Sequence, residues 1–145
     1  AREEVNRLPM SDSSRNFGWA VREGTASFNG ADQAAFTPPV TEYAHGTGDR
    51  EGRSITGGVV YQGPVEALQD HYVFGDFISD NIWAVPAADL VNGQTLPASA
   101  FQILTDELAP DIGSLTSITA FGTDETGNLY IVSIGGDVFR MDAEP

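Results

Sequence analysis

Apolar residues fall in short runs along the chain, or alternate with polar residues, and Gly, Asn, Asp, Ser and Pro bound most of the runs. Such runs are typical of β-strands joined by tight turns. The only stretch that fits a short helical turn is "PAADLVNG", which would end at Gly93. The pattern therefore predicts an all-β fold, with strands over residues 3–8, 40–43, 55–61, 72–78, 81–85, 101–105, 118–122, 129–134 and 137–141.

The stretch "RSITGGVVYQG", residues 53–63, has the β-branched and aromatic content of a strand but holds Gly57 and Gly58 in its interior. Glycine there marks a bulge or a close approach of two backbones. We expect an inner strand near the axis of a circular arrangement of sheets, where backbones converge. A plain β-bulge is the alternative.

Two parts of the chain resemble each other. "SITGGVVYQG…HYVFGDFISDNIWAV" and "SITAFGTDETGNLYIVSIGGDVFRM" both begin with Ser-Ile-Thr, about 60 residues apart, and both continue into a hairpin. An inner strand, a hairpin and an outer strand form a four-stranded propeller blade. Residues 101–105 would be the outer strand of the first unit, whereas the second unit stops at Met141 without one.

Five motifs in order carry a family resemblance: "EEVNRL…SRNFGWAVREGT", "PPVTEYAHG", "SITGGVVYQG", "HYVFGDFISDNIWAV" and "GNLYIVSIGGDVFRMD". Together they resemble the C-terminal part of the glucose/sorbosone dehydrogenase family, soluble sugar dehydrogenases that use pyrroloquinoline quinone. The resemblance implies a six-bladed β-propeller in an extracellular or periplasmic location. It also implies a quinone cofactor, Ca²⁺ and a sugar substrate whose hydroxyl is oxidised.

The resemblance further implies that this chain is about two and a half blades of the whole propeller. We predict a partial propeller domain over 1–145: the end of one blade and a connecting loop over 1–45, one full blade over 46–106, and a last blade lacking its outer strand over 107–145. Blades are stable when neighbours bury their faces and strand edges. We therefore expect a homo-oligomer, or a complementing N-terminal propeller chain that supplies the missing blades.

Composition limits the kinds of molecule that this chain can bind. Seven arginines, no lysine and 21 acidic residues give a net charge of −14, which excludes the basic footprint that nucleic acid requires. No apolar run is long enough to predict insertion into a membrane. The chain has no cysteine, so disulfides and thiolate sites are excluded. The charge itself is explained by solubility through self-repulsion.

Three residues are candidates for cofactor binding, since the quinone carries three carboxylates and needs cationic groups around it. Arg50 and Arg53 lie in the glycine-rich loop "HGTGDREGR"; solvation, or pairing with neighbouring acids, is the alternative that we favour. Trp19 aligns with an aromatic residue that the family's enzymes place beside cofactor and sugar. Core packing between blades is the alternative, and again we favour it.

Several observations weigh against catalysis by this chain alone. The family's catalytic histidine belongs to blades that are absent here, and no catalytic residue can be named. Ser79 or a neighbour stands where active members have a lysine, and "DIGSLTSITAFG" lacks their Arg-x-Arg. His45 and His71 have no metal-ligand spacing. "GTDETGN", residues 122–128, reads as a hairpin turn rather than a calcium loop, with Asp124 opening it and Gly127-Asn128 at positive φ.

Two functions from different classes follow. The first is the C-terminal propeller portion of a quinone-dependent sugar dehydrogenase, active when complete. The second is a non-catalytic propeller fragment that self-assembles or binds a partner. The sequence leaves open which of them applies, and whether quinone or Ca²⁺ binds.

Overall fold

The computed structural model describes residues 1–11, 14–30 and 35–143, and its regular structure is almost entirely β. Short 3₁₀ turns cover Glu66–Leu68, Ala87–Asp89 and Ala98–Ala100. The strands are β1 Arg2–Val5, β2 Arg22–Glu23, β3 Ala26–Ser27, β4 Thr41–Ala44, β5 Ile55–Val60, β6 His71–Asp76, β7 Ile82–Pro86, β8 Leu96–Pro97, β9 Gln102–Ile103, β10 Ile118–Thr123, β11 Leu129–Ser133 and β12 Val138–Arg140. The predicted all-β fold is confirmed.

Four small sheets organise these strands. The order β5-β6-β7-β9 forms a four-stranded antiparallel sheet, and β10-β11-β12 forms a three-stranded antiparallel sheet. A third sheet has the order β1-β4-β8, in which β4 pairs antiparallel with β1 and parallel with β8. The pair β2-β3 completes the set. Because β8 joins β4 and not β7, the segment between β7 and β9 crosses to the third sheet and ties it to the four-stranded one.

The four-stranded sheet is buried on both faces, because successive side chains of β6 and β7 enter two different core clusters. Val73 and Ile82 lie in a first core cluster, which includes Ile118, Leu129 and Met141 of the last sheet. On the opposite face, Phe74 and Trp83 lie in a second cluster with Val40 and Tyr43 of the third sheet. Successive residues of a strand point to opposite faces. A sheet covered on both sides therefore needs the continuous apolar run that β7 carries.

Aromatic rings fill the second cluster. Trp83 lies 4.8 Å from Tyr43, 5.4 Å from Phe74 and 5.7 Å from Phe101, measured between ring centroids, and the rings are tilted against one another. Tilted contacts of this kind contribute about 0.5–1.5 kcal/mol each beyond the area that they bury. All four side chains are at most 1% exposed, so this cluster is the rigid support for the loop between β4 and β5.

Gly57 and Gly58 lie in a β-bulge. The register of β5 against β6 shifts between Thr56 and Val59, so that two glycines face one partner residue. A Cβ on Gly58 would overlap the carbonyl oxygen of Val73, whereas a Cβ on Gly57 would meet nothing within 4 Å. The bulge interpretation is therefore confirmed, and the backbone approach that requires glycine is the one to the neighbouring strand.

The two resembling units also agree in their hydrogen bonds. Phe77 N donates to Ser54 O at 2.8 Å, and Ile134 N donates to Ser117 O at 3.1 Å. The first strand of the second unit also shifts register, between Ile118 and Ala120. The Ser-Ile-Thr repeat thus marks the same local structure twice.

Some element bounds differ from those predicted. The first strand ends at Val5 and not at Leu8. Leu8 is 52% exposed and is followed by Pro9. The turn expected to end at Gly93 is a 3₁₀ turn that already ends at Asp89. The strands β2, β3 and β8 were missed, since two residues are too few to show alternation.

Candidate functional site

A buried carboxylate, Asp76 at the end of β6, anchors the loop between β4 and β5. Its Oδ2 accepts hydrogen bonds from the hydroxyl of Tyr43 at 2.9 Å and from the main-chain N–H groups of Arg53 and Ser54 at 2.7 Å each. A Cβ on Gly52 would overlap this carboxylate, so glycine is required where the loop passes it. One side chain therefore joins β4, the loop and the start of β5.

The second oxygen of Asp76 closes the turn between β6 and β7. Oδ1 accepts from the main-chain N–H of Ile78 at 2.9 Å and from that of Ser79 at 2.8 Å. Burial by itself raises the pKa of Asp76, but these hydrogen bonds and those to Oδ2 outweigh it, so the pKa lies below its usual range. The side chain is fully buried and remains ionised.

The Tyr43 hydroxyl is correspondingly held as a donor. Burial raises its pKa far above the usual range, and the hydrogen bond to Asp76 and the charge on that carboxylate raise it further. A neutral phenol that donates to an ionised carboxylate is a stable structural pair. It is not a proton donor for chemistry near neutral pH.

The rest of the loop is held through its backbone. Glu51 accepts from the N–H groups of Thr47 and Gly48 at 3.1 and 2.9 Å. The side-chain amide of Asn81 donates to the carbonyl oxygens of Gly48 and Glu51, and the indole N–H of Trp83 donates to that of Asp49 at 2.8 Å. The loop is therefore a fixed structure, although most of its residues are exposed.

The two loop arginines have different environments. Arg50 Nε donates to the carbonyl oxygen of Phe101 at 3.0 Å, so this guanidinium fastens the loop to the residue before β9. Among the described residues the guanidinium of Arg53 makes no hydrogen bond or ion pair, and the residue is exposed. Arg53 is thus exposed to solvent, and Arg50 bonds to a main-chain carbonyl and not to Asp49 or Glu51; cofactor binding by either arginine stays a prediction.

Arg53 lines a cleft of about 360 Å³ beside the β6–β7 turn. The other residues that line the cleft are Gly46, Thr47, Gly48, Asp49, Ile78, Ser79 and Asn81. Ser79, which the sequence resemblance places near a lysine of the sugar dehydrogenases, is among them. The cleft offers one cation, one carboxylate and several neutral polar groups.

Trp19 lies apart from this cleft in sequence and in contacts. It belongs to the connection between β1 and β2, and its ring stacks on Phe28 with centroids 5.5 Å apart and 21° between the planes. The indole is 72% exposed, so it lies outside the core that the described residues form, and packing against a further blade stays a prediction. In the described part of the chain no hydrogen bond or ring contact joins Trp19 to Arg50 or Arg53.

The described residues do not fit a tricarboxylate cofactor on their own. A quinone with three carboxylates needs several converging cations, but only Arg53 faces the cleft with a free guanidinium, and Asp49 lines the same cleft. No group of three or more His, Asp or Glu side chains among the described residues is arranged to hold a metal ion. A quinone site would need cationic groups in addition to Arg53.

The histidines are engaged locally. His45 Nε2 lies 2.7 Å from Glu3 Oε1, and this pair joins β1 to the end of β4. His71 Nδ1 lies 2.9 Å from the carbonyl oxygen of Gln69. Neither ring meets a nucleophile or a second histidine in these contacts.

Asp124 opens the β10–β11 turn as predicted. It accepts from the side chains of Asn128 and Thr126 and from their main-chain N–H groups, and these bonds hold its pKa well below the usual range. Gly127 has φ +84°. Asn128 is not at positive φ, so the expectation for that residue is wrong.

Sequence reasoning missed the role of Asp76. The signal that would have found it is the sequence Gly-Asp-Phe-Ile-Ser at a strand end, because an Asp there can accept from the N–H groups of the turn that follows.

The comparisons with known proteins leave the family open. No family model matches the chain, and no solved structure matches it. Within the described residues no helix is both long enough and apolar enough to cross a membrane.

Proposed function

We propose that this chain forms two consecutive blades of a β-propeller, with part of a preceding blade, and contributes them to a larger closed ring. The supporting observation is the sheet β5-β6-β7-β9, whose strands lie side by side in the order in which they occur along the chain, apart from the excursion through β8, and pair antiparallel. This is the topology of a propeller blade. Its first strand lies beside β10, the first strand of the next sheet, and Thr56 Oγ1 donates to Ile118 O at 2.8 Å across the two.

The burial pattern supports a stack of sheets that continues beyond this chain. The four-stranded sheet has a neighbour on each face, whereas the last sheet and the β1-β4-β8 sheet each pack against it on one face. Ile134 and Val138 of the last sheet region are 68% and 61% exposed. Repeat units are stabilised by neighbours that bury such surfaces, so a further unit is expected on each side.

For the completed molecule we propose the chemistry of the family that the sequence resembles, the oxidation of a sugar hydroxyl by pyrroloquinoline quinone with Ca²⁺, outside the cell or in the periplasm. That proposal rests on the five motifs. For this chain taken alone we propose a structural role and not catalysis, since a single free arginine at the cleft does not match a tricarboxylate.

The experiment is the mass in solution, by light scattering on a size-exclusion column, with and without the quinone and Ca²⁺. The chain has a mass of 15.4 kDa. We expect two or three times that value, or a complex with a separate chain that carries the missing blades. A particle of one chain that unfolds in a single cooperative transition contradicts the proposal.

Sugar oxidation, followed with an artificial electron acceptor in the presence of quinone and Ca²⁺, tests the chemistry separately. We expect no turnover by single chains and turnover only in the completed assembly. Turnover by single chains contradicts the structural role assigned to this chain.

A further inference from the structure

A second cleft, of about 270 Å³, lies where the turn after β6 meets the connection from β9 to β10. Five of its nine lining residues have apolar side chains, namely Ile82, Leu108, Ala109, Pro110 and Leu115. Ile82 belongs to the first core cluster, and Leu108 and Leu115 pack against that cluster. Part of the cleft surface is therefore continuous with the core, and both of its walls come from this chain.

One carboxylate lines this apolar cleft. Asp80 is the only ionisable side chain among the described residues of the lining, and it is half-buried. Its Oδ1 accepts a hydrogen bond from the main-chain N–H of Ser117, just before β10. Within the described part of the chain, no donor bonds to Oδ2. Because removal of a carboxylate from water is costly unless it is paired, Oδ2 is suited to accept from a cation outside the chain.

Charge determines the sign of the ligand. Residues 54–139 contain eleven acidic side chains and neither lysine nor arginine, and every residue that lines the cleft belongs to this stretch. The electrostatic field at the cleft therefore attracts cations and repels anions. A metal ion would need several converging oxygen ligands, and the described residues contain no such group of acidic or histidine side chains. An organic cation agrees better with the apolar lining.

The hydrogen bond from Ser117 also favours an ammonium over a guanidinium. A guanidinium binds a carboxylate best when it donates to both oxygens in parallel. Oδ1 of Asp80 already accepts from Ser117, so only Oδ2 is available to a ligand. A primary ammonium can use that single oxygen and has two further N–H donors. The hydroxyl of Ser114, which lines the same cleft, offers a second acceptor.

We propose that this cleft binds a small primary ammonium ion with an apolar body, which donates to Asp80 Oδ2 and covers Leu108 and Leu115. Pockets for drug-sized ligands measure about 300–1,000 Å³, so a cleft of about 270 Å³ suits a smaller molecule. The inference goes beyond the proposed function, because its ligand is neither a sugar nor a quinone. It does not depend on the closure of a ring.

The probe is benzylammonium, and the readout is the shift of the NMR signals of the main-chain amides of Asp80, Gly113 and Ser117 as the probe is added. Two comparison compounds separate charge from apolar contact: benzyl alcohol keeps the ring without the charge, and methylammonium keeps the charge without the ring. We expect benzylammonium to bind at least tenfold more tightly than either compound. Binding of benzyl alcohol or methylammonium that is as tight as that of benzylammonium overturns the proposal.

The matched variants are Asp80→Asn and Asp106→Asn. Asparagine keeps an oxygen that can accept from Ser117 N–H, and it tolerates the left-handed φ of +59° at position 80. Asp106 is exposed and lies next to Thr105, outside the lining, so its variant removes the same charge from the nearby surface. We expect the affinity for benzylammonium to fall at least tenfold in Asp80→Asn and less than twofold in Asp106→Asn. Equal losses would show that a diffuse acidic surface attracts the probe, and would overturn the proposal. The comparison of the three compounds on the wild-type chain tests it without either variant.

Discussion

Asp76→Asn keeps the shape of a buried side chain and removes its charge. The Asp76 carboxylate accepts five hydrogen bonds, three at Oδ2 and two at Oδ1. An amide has one accepting oxygen, so its NH₂ group faces at least two N–H donors whichever way it is turned. Hydrogen bonds to a charged group contribute about 1.5–3 kcal/mol each. We therefore expect the free energy of unfolding to fall by about 3–4 kcal/mol at pH 7.

Urea unfolding at 25 °C, followed by tryptophan fluorescence, measures this loss, since Trp83 lies in the cluster next to the loop. The stability of a domain is about 5–15 kcal/mol, so the variant should still fold. Asp70→Asn is the control: Asp70 precedes the same strand, is exposed, and accepts one hydrogen bond from Gln62. We expect it to change stability by no more than about 0.5 kcal/mol.

The pH dependence gives a second readout of the same group. The pKa of Asp76 is lowered in the folded chain, so its contribution to stability is complete above the unfolded value of about 3.9 and is lost as the pH falls toward the folded value. The difference between the wild-type chain and Asp76→Asn should thus be largest at pH 7 and shrink below about pH 4. A loss no larger than that of Asp70→Asn, or a difference that does not change with pH, would refute the anchoring role.

Three further predictions concern the bulge, the loop and the last turn. Gly58→Ala should lower the free energy of unfolding by about 3 kcal/mol in urea titrations, since the new Cβ meets a main-chain carbonyl. Gly57→Ala should lower it by less than about 1 kcal/mol, and equal losses for the two variants would contradict the bulge. Arg50→Ala should lower the free energy of unfolding by about 1–2 kcal/mol, because the hydrogen bond to the carbonyl oxygen of Phe101 is lost. Arg53→Ala should change it by no more than about 0.5 kcal/mol. A larger loss for Arg53→Ala than for Arg50→Ala would show that the cleft arginine is structural. Asp124→Asn should lower the melting temperature at pH 7 and weaken its decline below about pH 4, because the lowered pKa of Asp124 contributes stability that is lost on acidification; an unchanged acid profile contradicts this.

The long, periodic elements were open to prediction from the sequence. Residues 72–78 and 81–85 were assigned as strands, and β6 and β7 lie within one residue of these ranges at their starts and within two at their ends. Five or six residues with β-branched and aromatic side chains carry a strong signal. The turn at Asp124 could also be predicted, because the conformational roles of Asp and Gly in a turn depend only on their neighbours in the chain.

The candidate site was open to prediction only in part. The sequence located the loop "HGTGDREGR" as a place where arginines meet polar groups. It did not distinguish Arg50, which fastens the loop to Phe101 O, from Arg53, which faces the cleft. That difference depends on a contact between residues 51 positions apart, which no local pattern records.

The sequence by itself determined the β character, the positions of the tight turns and the repeat of Ser-Ile-Thr, because strand alternation, turn residues and self-similarity are properties of neighbours along the chain. Only the tertiary structure decided that Gly58 makes room for the carbonyl of Val73, that Trp19 is exposed, and that Asp76 is a buried anchor. Each of these depends on which strand lies next to which. Such distant contacts are settled by the packing of whole sheets, and the exposure or burial of a side chain follows from them.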